Sequence, residues 1–323
     1  MSFQCLYLSR ADVESVGLGM SEIIDALEKM FLEKAAGRVE MPPKPGIHPA
    51  ADAFIHAMPA YIPALRSAGV KWVSGFPANP ARGLPYISGL IVLNDVETGF
   101  PKAVMDCTWI TAQRTGAATA VAARRLARPG SRTLGILGCG VQGRSNLEAL
   151  AAVFRLEEVK AFDLDPAAAG GFAKAAGARF GLPVRVVGSA EEAVRGSDLV
   201  VTAGPILKVP HATIRPGWLA AGAFASLVDY DSYWSREALR EADKFCTDDM
   251  AQLEYVKTLG YFKDVPPVYA DLAELVSGKK PGRESSAERT VACNLGLALD
   301  DMATAPLVLE KAVARGLGVR LDL

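Results

Sequence analysis

Apolar and polar positions along this chain follow two different rhythms. From residue 21 to 37, Ile23, Ile24, Leu27, Met30 and Phe31 recur at helical spacing, with Ser21 placed to cap the helix and Gly37 to end it. Pro42, Pro43, Pro45 and Pro49 then oppose any helix. Strands are predicted at 53–58, 69–73, 86–93 and 101–105, broken by Pro77-Ala78-Asn79-Pro80 and Glu97-Thr98-Gly99. Strands that follow one another without helices predict an antiparallel or mixed sheet. A helix rich in small residues is expected over 111–127, where Gly116, Ala117, Ala120 and Ala123 permit close packing, and Pro129-Gly130 punctuates the chain.

From residue 133 the pattern alternates. Strands are predicted at 134–137, 159–162, 184–187 and 199–202, with helices at 141–154, 167–179 and 190–195, the last opened by a capping box of Ser189 and Glu192. Apolar runs at 218–227 and 244–247 continue the series, and a long helical pattern at 296–315, interrupted by Pro306, closes it. The first strand of the series ends in Gly138-Cys139-Gly140-Val141-Gln142-Gly143. In such a turn Gly138 bends the chain, Gly140 lets the backbone approach a pyrophosphate and Gly143 lets the helix lie close to the strand. The phosphates are held by free N–H groups at the helix start. Asp163, about 20 residues further on, stands where an acid meets the adenosine ribose. The expected fold is therefore α/β: a Rossmann-type doubly wound parallel sheet, residues 129–292, with a mixed α+β domain of residues 1–128 and 293–323.

Composition narrows the function. In 323 residues, 35 Lys and Arg nearly balance 36 Asp and Glu, so there is no electrostatic reason to expect nucleic acid or an anionic membrane. No apolar run reaches the ~18 residues of a membrane span, and Arg10 and Asp12 interrupt any secretory leader. Cys5, Cys107, Cys139, Cys246 and Cys293 are scattered and odd in number, which fits reduced thiols and a cytoplasmic location. The three histidines, His48, His56 and His211, form no metal constellation, and no serine or cysteine triad is visible.

Two cations carry the chemistry. Lys71 lies in an apolar strand pattern, and Arg114 lies near the start of the Ala-rich helix. Buried cations need partners, and a substrate carboxylate in a cleft between the domains would serve both. The structural alternatives are a Lys71 head that reaches solvent and an ion pair between Arg114 and an acid such as Asp106.

Several motifs in order, Met58-Pro59-Ala60-Tyr61, Lys71-Trp72-Val73-Ser74-Gly75-Phe76-Pro77, Ile110-Thr111-Ala112-Gln113-Arg114-Thr115-Gly116, the glycine turn and Leu295-Gly296-Leu297-Ala298-Leu299-Asp300-Asp301, together resemble the ornithine cyclodeaminase/mu-crystallin family. The resemblance implies that Lys71 and Arg114 hold a substrate α-carboxylate, assisted by Lys44. It implies a cofactor site at Gly138, Gly140, Val141, Gln142 and Gly143, with Thr202 near the nicotinamide, and a homodimer joined through the sheets of the substrate-binding domains. It also implies a proton-transfer aspartate, for which Asp229 is the nearest match and Asp231 the alternative. His56 stands where cyclodeaminases carry a glutamate near the reacting amino acid. That favours a dehydrogenase of small amino acids, or a reductase of imino or cyclic ketimine acids, over a deaminating cyclase. A non-enzymatic, mu-crystallin-like binding protein is the further alternative. NAD is expected over NADP, because Asp163 and Asp165 would repel a 2′-phosphate.

Overall fold

The computed structural model describes residues 4–323. The chain opens with β1 (Gln4–Leu8), α1 (Arg10–Ser15), α2 (Met20–Ala35), β2 (Gly46–Ile47), β3 (Phe54–Ile62), β4 (Ser67–Gly75), β5 (Ile87–Asn94), β6 (Pro101–Asp106) and α3 (Thr108–Leu126). It then alternates through β7 (Thr133–Leu137), α4 (Val141–Val153), β8 (Glu158–Phe162), α5 (Pro166–Phe180), β9 (Val184–Val186), α6 (Ala190–Val194) and β10 (Leu199–Thr202). There follow β11 (Phe224–Leu227), α7 (Arg236–Leu239), β12 (Lys244–Thr247), α8 (Met250–Thr258), β13 (Ala270–Asp271), α9 (Leu272–Val276) and β14 (Thr290–Cys293). The chain closes with α10 (Ala298–Ala314) and β15 (Val319–Asp322).

Two compact units result, one of residues 1–114 with 296–323, the other of residues 115–295. In the first, seven strands run in the order β15-β1-β6-β5-β4-β3-β2. Only the β1–β6 pairing is parallel, so the sheet is mixed. Helix α10 lies against α2, β3, β4 and β5 and buries nearly every residue of its first two turns. Pro306 sits inside this helix without ending it. A proline there cannot donate to the carbonyl four residues earlier, which is that of Met302. The buried Ser67 hydroxyl of β4 donates to the Met302 oxygen at 2.7 Å instead. One serine thus satisfies the acceptor that the proline leaves open and ties the helix to the sheet.

The second unit carries an all-parallel sheet in the order β13-β12-β14-β11-β10-β7-β8-β9. Both faces are covered. Ser226 of β11 and Thr290 of β14 bond to Thr119 and to the Leu126 carbonyl of α3. On the opposite face Ala225, Leu227, Val291 and Cys293 pack with Ala193, Val194, Leu239 and Leu253. Strand order reverses between β7 and β10, and in open α/β sheets ligands bind outside the carboxyl ends of the strands at such a point.

Two local expectations are corrected. Ser21 is not the cap of α2; Gly19 is, because the Glu22 carboxylate reaches back to the Gly19 N–H at 2.9 Å. The apolar run at 218–227 is a strand only from Phe224. Gly222 within it has φ +81°, and Gly217 just before it +75°, left-handed conformations that interrupt a strand. The compact units divide within α3, at 114/115, and at 295/296. In the second half of α3 a β-carbon on Gly116 would lie 2.4 Å from the Ser145 carbonyl oxygen of α4, so the two helices pack closely there. Among the described residues no helix is long and apolar enough to cross a membrane.

Candidate active site

The residues singled out in the sequence fall into two groups, one in each unit. In the first unit, the alternation of β4 turns Lys71 inward with Val73 and Gly75, and its side chain is 0% exposed. The ammonium lies 2.6 Å from Oδ2 of Asp301 and donates to Thr111 Oγ1 at 3.5 Å. Arg114, on α3, places Nε 3.2 Å from Asp301 Oδ1 and Nη1 3.5 Å from Asp300 Oδ2. The two acids stand at the start of α10, where the helix dipole favours negative charge, and Asp300 also accepts the Leu297 N–H at 3.0 Å. Of the two structural alternatives for the cations, the solvent-reaching lysine fails and the ion pair of Arg114 holds, with other acids than Asp106. Lys71 does not reach solvent, and Arg114 pairs with Asp300 and Asp301 rather than with Asp106, whose carboxylate caps Thr108.

Asp300 and Asp301 belong to a motif read in the sequence, yet their role was missed. The signal was present: two acids in an otherwise apolar helix start need partners as much as Lys71 does. Lys44 completes the cluster by donating to the Gly296 carbonyl at 3.3 Å. Gly296 has φ +78°, and a β-carbon on it would lie 2.5 Å from Arg114 Nη1, so both the turn and the guanidinium require glycine. Burial, with Arg114 alongside, pushes the Lys71 ammonium below its ordinary value. His56, on β3, stacks on Phe54 with ring centres 4.4 Å apart. Burial first, then Lys44, His48 and Lys71, push its imidazole down to about 3, so it is neutral at pH 7.

In the second unit the glycine turn joins β7 to α4 as expected. Gly138 has φ +96°, and a β-carbon on Gly143 would collide with the Gly138 carbonyl at 2.2 Å. Gly140 is the N-cap and no side chain caps α4. The N–H groups at the helix start, from Val141 to Gly143, therefore have no acceptor within the helix. A β-carbon on Gly140 would meet nothing within 4 Å. Open space at an uncapped helix start is what a pyrophosphate needs. Asp163, at the end of β8, accepts the Cys139 N–H at 2.7 Å and the Asp165 N–H at 3.0 Å, which fixes its carboxylate beside the turn. Asp165 caps α5. Burial, with Asp163 nearby, pushes the Cys139 thiol up to about 12, so it is no nucleophile. His211 lies in an exposed loop on Thr213.

At the carboxyl ends of β10 and β11, Thr202 and Asp229 meet. The Thr202 hydroxyl donates to Asp229 Oδ1 at 2.7 Å and the Gly204 N–H to Oδ2 at 2.9 Å. Both bonds favour the ionised carboxylate, but burial outweighs them and pushes Asp229 up to about 7. Asp231, also pushed up by burial, lies beyond Tyr230, whose buried ring packs on Tyr261 and Phe262 and whose φ is +62°. Of the two acids, Asp229 is the one bound to the ends of the strands.

This geometry has a consequence for stability. Asp229 holds its proton more tightly folded, at about 7, than its ordinary 3.8, so the folded state binds more protons between those values. Stability contributed by this group is full below about pH 4 and falls as pH rises to about 7. Melting curves of the wild type and Asp229→Asn from pH 4 to 8 are expected to diverge in the variant's favour as pH rises. A melting-temperature difference that stays constant over the range contradicts the assignment.

Comparison with known proteins places this arrangement. The profile of the ornithine cyclodeaminase/mu-crystallin family matches residues 5–316. An alanine dehydrogenase of Archaeoglobus fulgidus is 37% identical over 327 residues, 98% of each chain. The structure of Thermococcus litoralis Δ1-pyrroline-2-carboxylate reductase with NADH and L-proline matches with a TM-score of 0.89 and 35% identity, covering 97% of this chain and 99% of that one. An archaeal alanine dehydrogenase dimer with bound NAD matches with a TM-score of 0.88 and 36% identity, covering 99% of this chain and 100% of that one. The α/β fold, the glycine turn and the buried basic cluster thus sit on a chain that belongs to the ornithine cyclodeaminase/mu-crystallin family.

Proposed function

We propose that this protein is an NAD-dependent oxidoreductase acting at the α-carbon of a small amino acid, or of the corresponding imino or cyclic ketimine acid. The observation that carries this reading is the buried basic cluster in which Lys71 and Arg114 meet Asp300 and Asp301 and Lys44 meets the Gly296 carbonyl. Asp301 and Asp300 fix the Arg114 guanidinium, and the fork can grip a carboxylate at two points. The relatives that act on alanine and on pyrroline-2-carboxylate support this substrate class.

A nicotinamide bound here would supply the chemistry of hydride transfer to or from the α-carbon. The residues of this chain do the rest. Gly138, Gly140, Val141, Gln142 and Gly143 would hold the pyrophosphate on backbone N–H groups. Asp163 keeps lone pairs free for the ribose hydroxyls after taking its two backbone N–H groups. Asp163 and Asp165 together disfavour a 2′-phosphate, hence NAD over NADP. Asp229, near neutrality, can give and take a proton at pH 7. The neutral His56, set among cations, offers no counter-charge to a side-chain ammonium, so an uncharged side chain is preferred to a diamino acid and net redox to cyclodeamination. The five free, buried cysteines fit a reducing, cytoplasmic setting.

The same reading includes a homodimer. Trp72 and Leu90 lie directly opposite each other on β4 and β5 and are 51% and 40% exposed, the start of an apolar face on the first unit's sheet. Light scattering is expected to give twice 34.2 kDa, and Trp72→Glu to shift the species toward monomer. A wild type that stays monomeric at every concentration contradicts this.

The carboxylate grip is tested at Arg114. Arg114→Lys keeps a charge but loses the fork. It is expected to raise KM for the best amino or imino acid by the equivalent of about 2–4 kcal/mol. Fluorescence titration is expected to leave its NADH affinity as in the wild type, with NADH bound more tightly than NADPH by both. A variant that melts earlier but keeps KM would show that Arg114 serves the fold alone.

A further inference from the structure

The hydroxyl of Thr202 is fully buried and has one hydrogen to give. Two groups compete for its oxygen. Asp229 Oδ1 lies 2.7 Å away and the indole Nε1 of Trp234 lies 3.3 Å away. An indole N–H is a donor only. The Thr202 oxygen must therefore accept from Trp234, and its single hydrogen is committed to Asp229. We propose that Trp234 is a positioning residue, which sets the proton affinity of Asp229 through Thr202 by fixing the direction of this hydrogen-bond chain. The proposal rests on the reading of Asp229 as the proton-transfer group.

The indole is well placed for this. Trp234 is 2% exposed and packs in the core that covers the sheet. Its backbone N–H bonds to the Asp231 carbonyl at 3.2 Å, directly after the turn that the Ser232 N–H closes on the Asp229 carbonyl at 3.3 Å. Ser232 Oγ bonds to the Asp229 carbonyl, and the Leu207 N–H bonds to Ser232 Oγ at 2.9 Å. The carboxylate and the indole are thus held on one rigid turn, with Thr202 at the end of β10 between them. Nothing local in the sequence marks Trp234, because its partner lies 32 residues away.

The electrostatic consequence has a definite sign. Donation from the indole polarises the Thr202 hydroxyl and strengthens its bond to the carboxylate. Without the indole, the hydroxyl can turn its hydrogen to another acceptor and present a lone pair to a protonated Asp229. The groups that face Asp229 are Thr202 and Gly204 from the β10 side, its own backbone N–H, and Asp231 from its own turn. Burial opposes ionisation most, the three donors favour it and Asp231 opposes it. Loss of either link in the chain must raise the proton affinity.

The test is a titration of the full-length protein labelled at the aspartate carboxyl carbons, with Asp229→Asn identifying the resonance. Trp234→Phe is expected to raise the Asp229 midpoint by a few tenths of a pH unit and Thr202→Val by about one unit. In the Thr202→Val background, Trp234→Phe is expected to add nothing. A readout that needs no change at Trp234 runs in parallel: its indole proton resonance is expected to shift with the Asp229 midpoint in the wild type and to lose that response in Thr202→Val. A Trp234→Phe midpoint equal to the wild type's, or an indole resonance indifferent to Asp229, overturns the proposal and leaves the catalytic reading standing. Turnover retained by Asp229→Asn would overturn the catalytic reading and leave this hydrogen-bond chain standing.

Discussion

The first unit depends on how it keeps two cations out of water. A lysine with no exposed surface and a nearly buried arginine are each costly to desolvate, by several kcal/mol per ion. They persist because Asp300 and Asp301 meet them within 2.6–3.5 Å and the start of α10 favours the acids. The placing of α10 is therefore the controlling constraint. The Ser67 bond to Met302 anchors the helix to β4, the same strand that carries Lys71. Pro306 makes that bond necessary, since it frees the Met302 carbonyl inside the protein. A structural serine, a proline and a glycine at 296 thus determine where the charges of the site stand.

The second unit solves the same problem differently. Asp229 is as deeply buried as Lys71, but its carboxylate is met by a hydroxyl and a backbone N–H in place of a cation. Two neutral donors offset only part of the desolvation, so the group titrates at about 7. A full ion pair would have kept it ionised, and an apolar pocket would have kept it protonated. Partial solvation by fixed dipoles leaves it able to exchange a proton at neutral pH. The nearby glycine turn applies the same economy to phosphate, by means of uncapped N–H groups at the start of α4.

Much of this was legible in the sequence because it is local. The alternation of β4, the helical stripe of α2 and the strand–turn–helix around Gly138 are patterns over a few residues, and the structure reproduces them. The need of Lys71 and Arg114 for an anion was equally plain. What periodicity cannot encode is which anion. Arg114 pairs with an acid 187 residues away, whereas the sequence offered Asp106 because it was near. The same blindness hid the Trp234–Thr202 bond. Ser21 was a poor cap for a different reason: the Glu22 side chain competed for the helix start and won from Gly19.

The central claim is that the buried basic cluster exists to hold one α-carboxylate. Calorimetric titration of the NADH-loaded protein with L-proline and with L-prolinamide, and likewise with L-alanine and L-alaninamide, tests it directly. The acids are expected to bind and the amides to bind far more weakly, since an amide offers the guanidinium and ammonium groups no negative charge. Equal affinities within each pair would mean that the ion pairs satisfy only themselves.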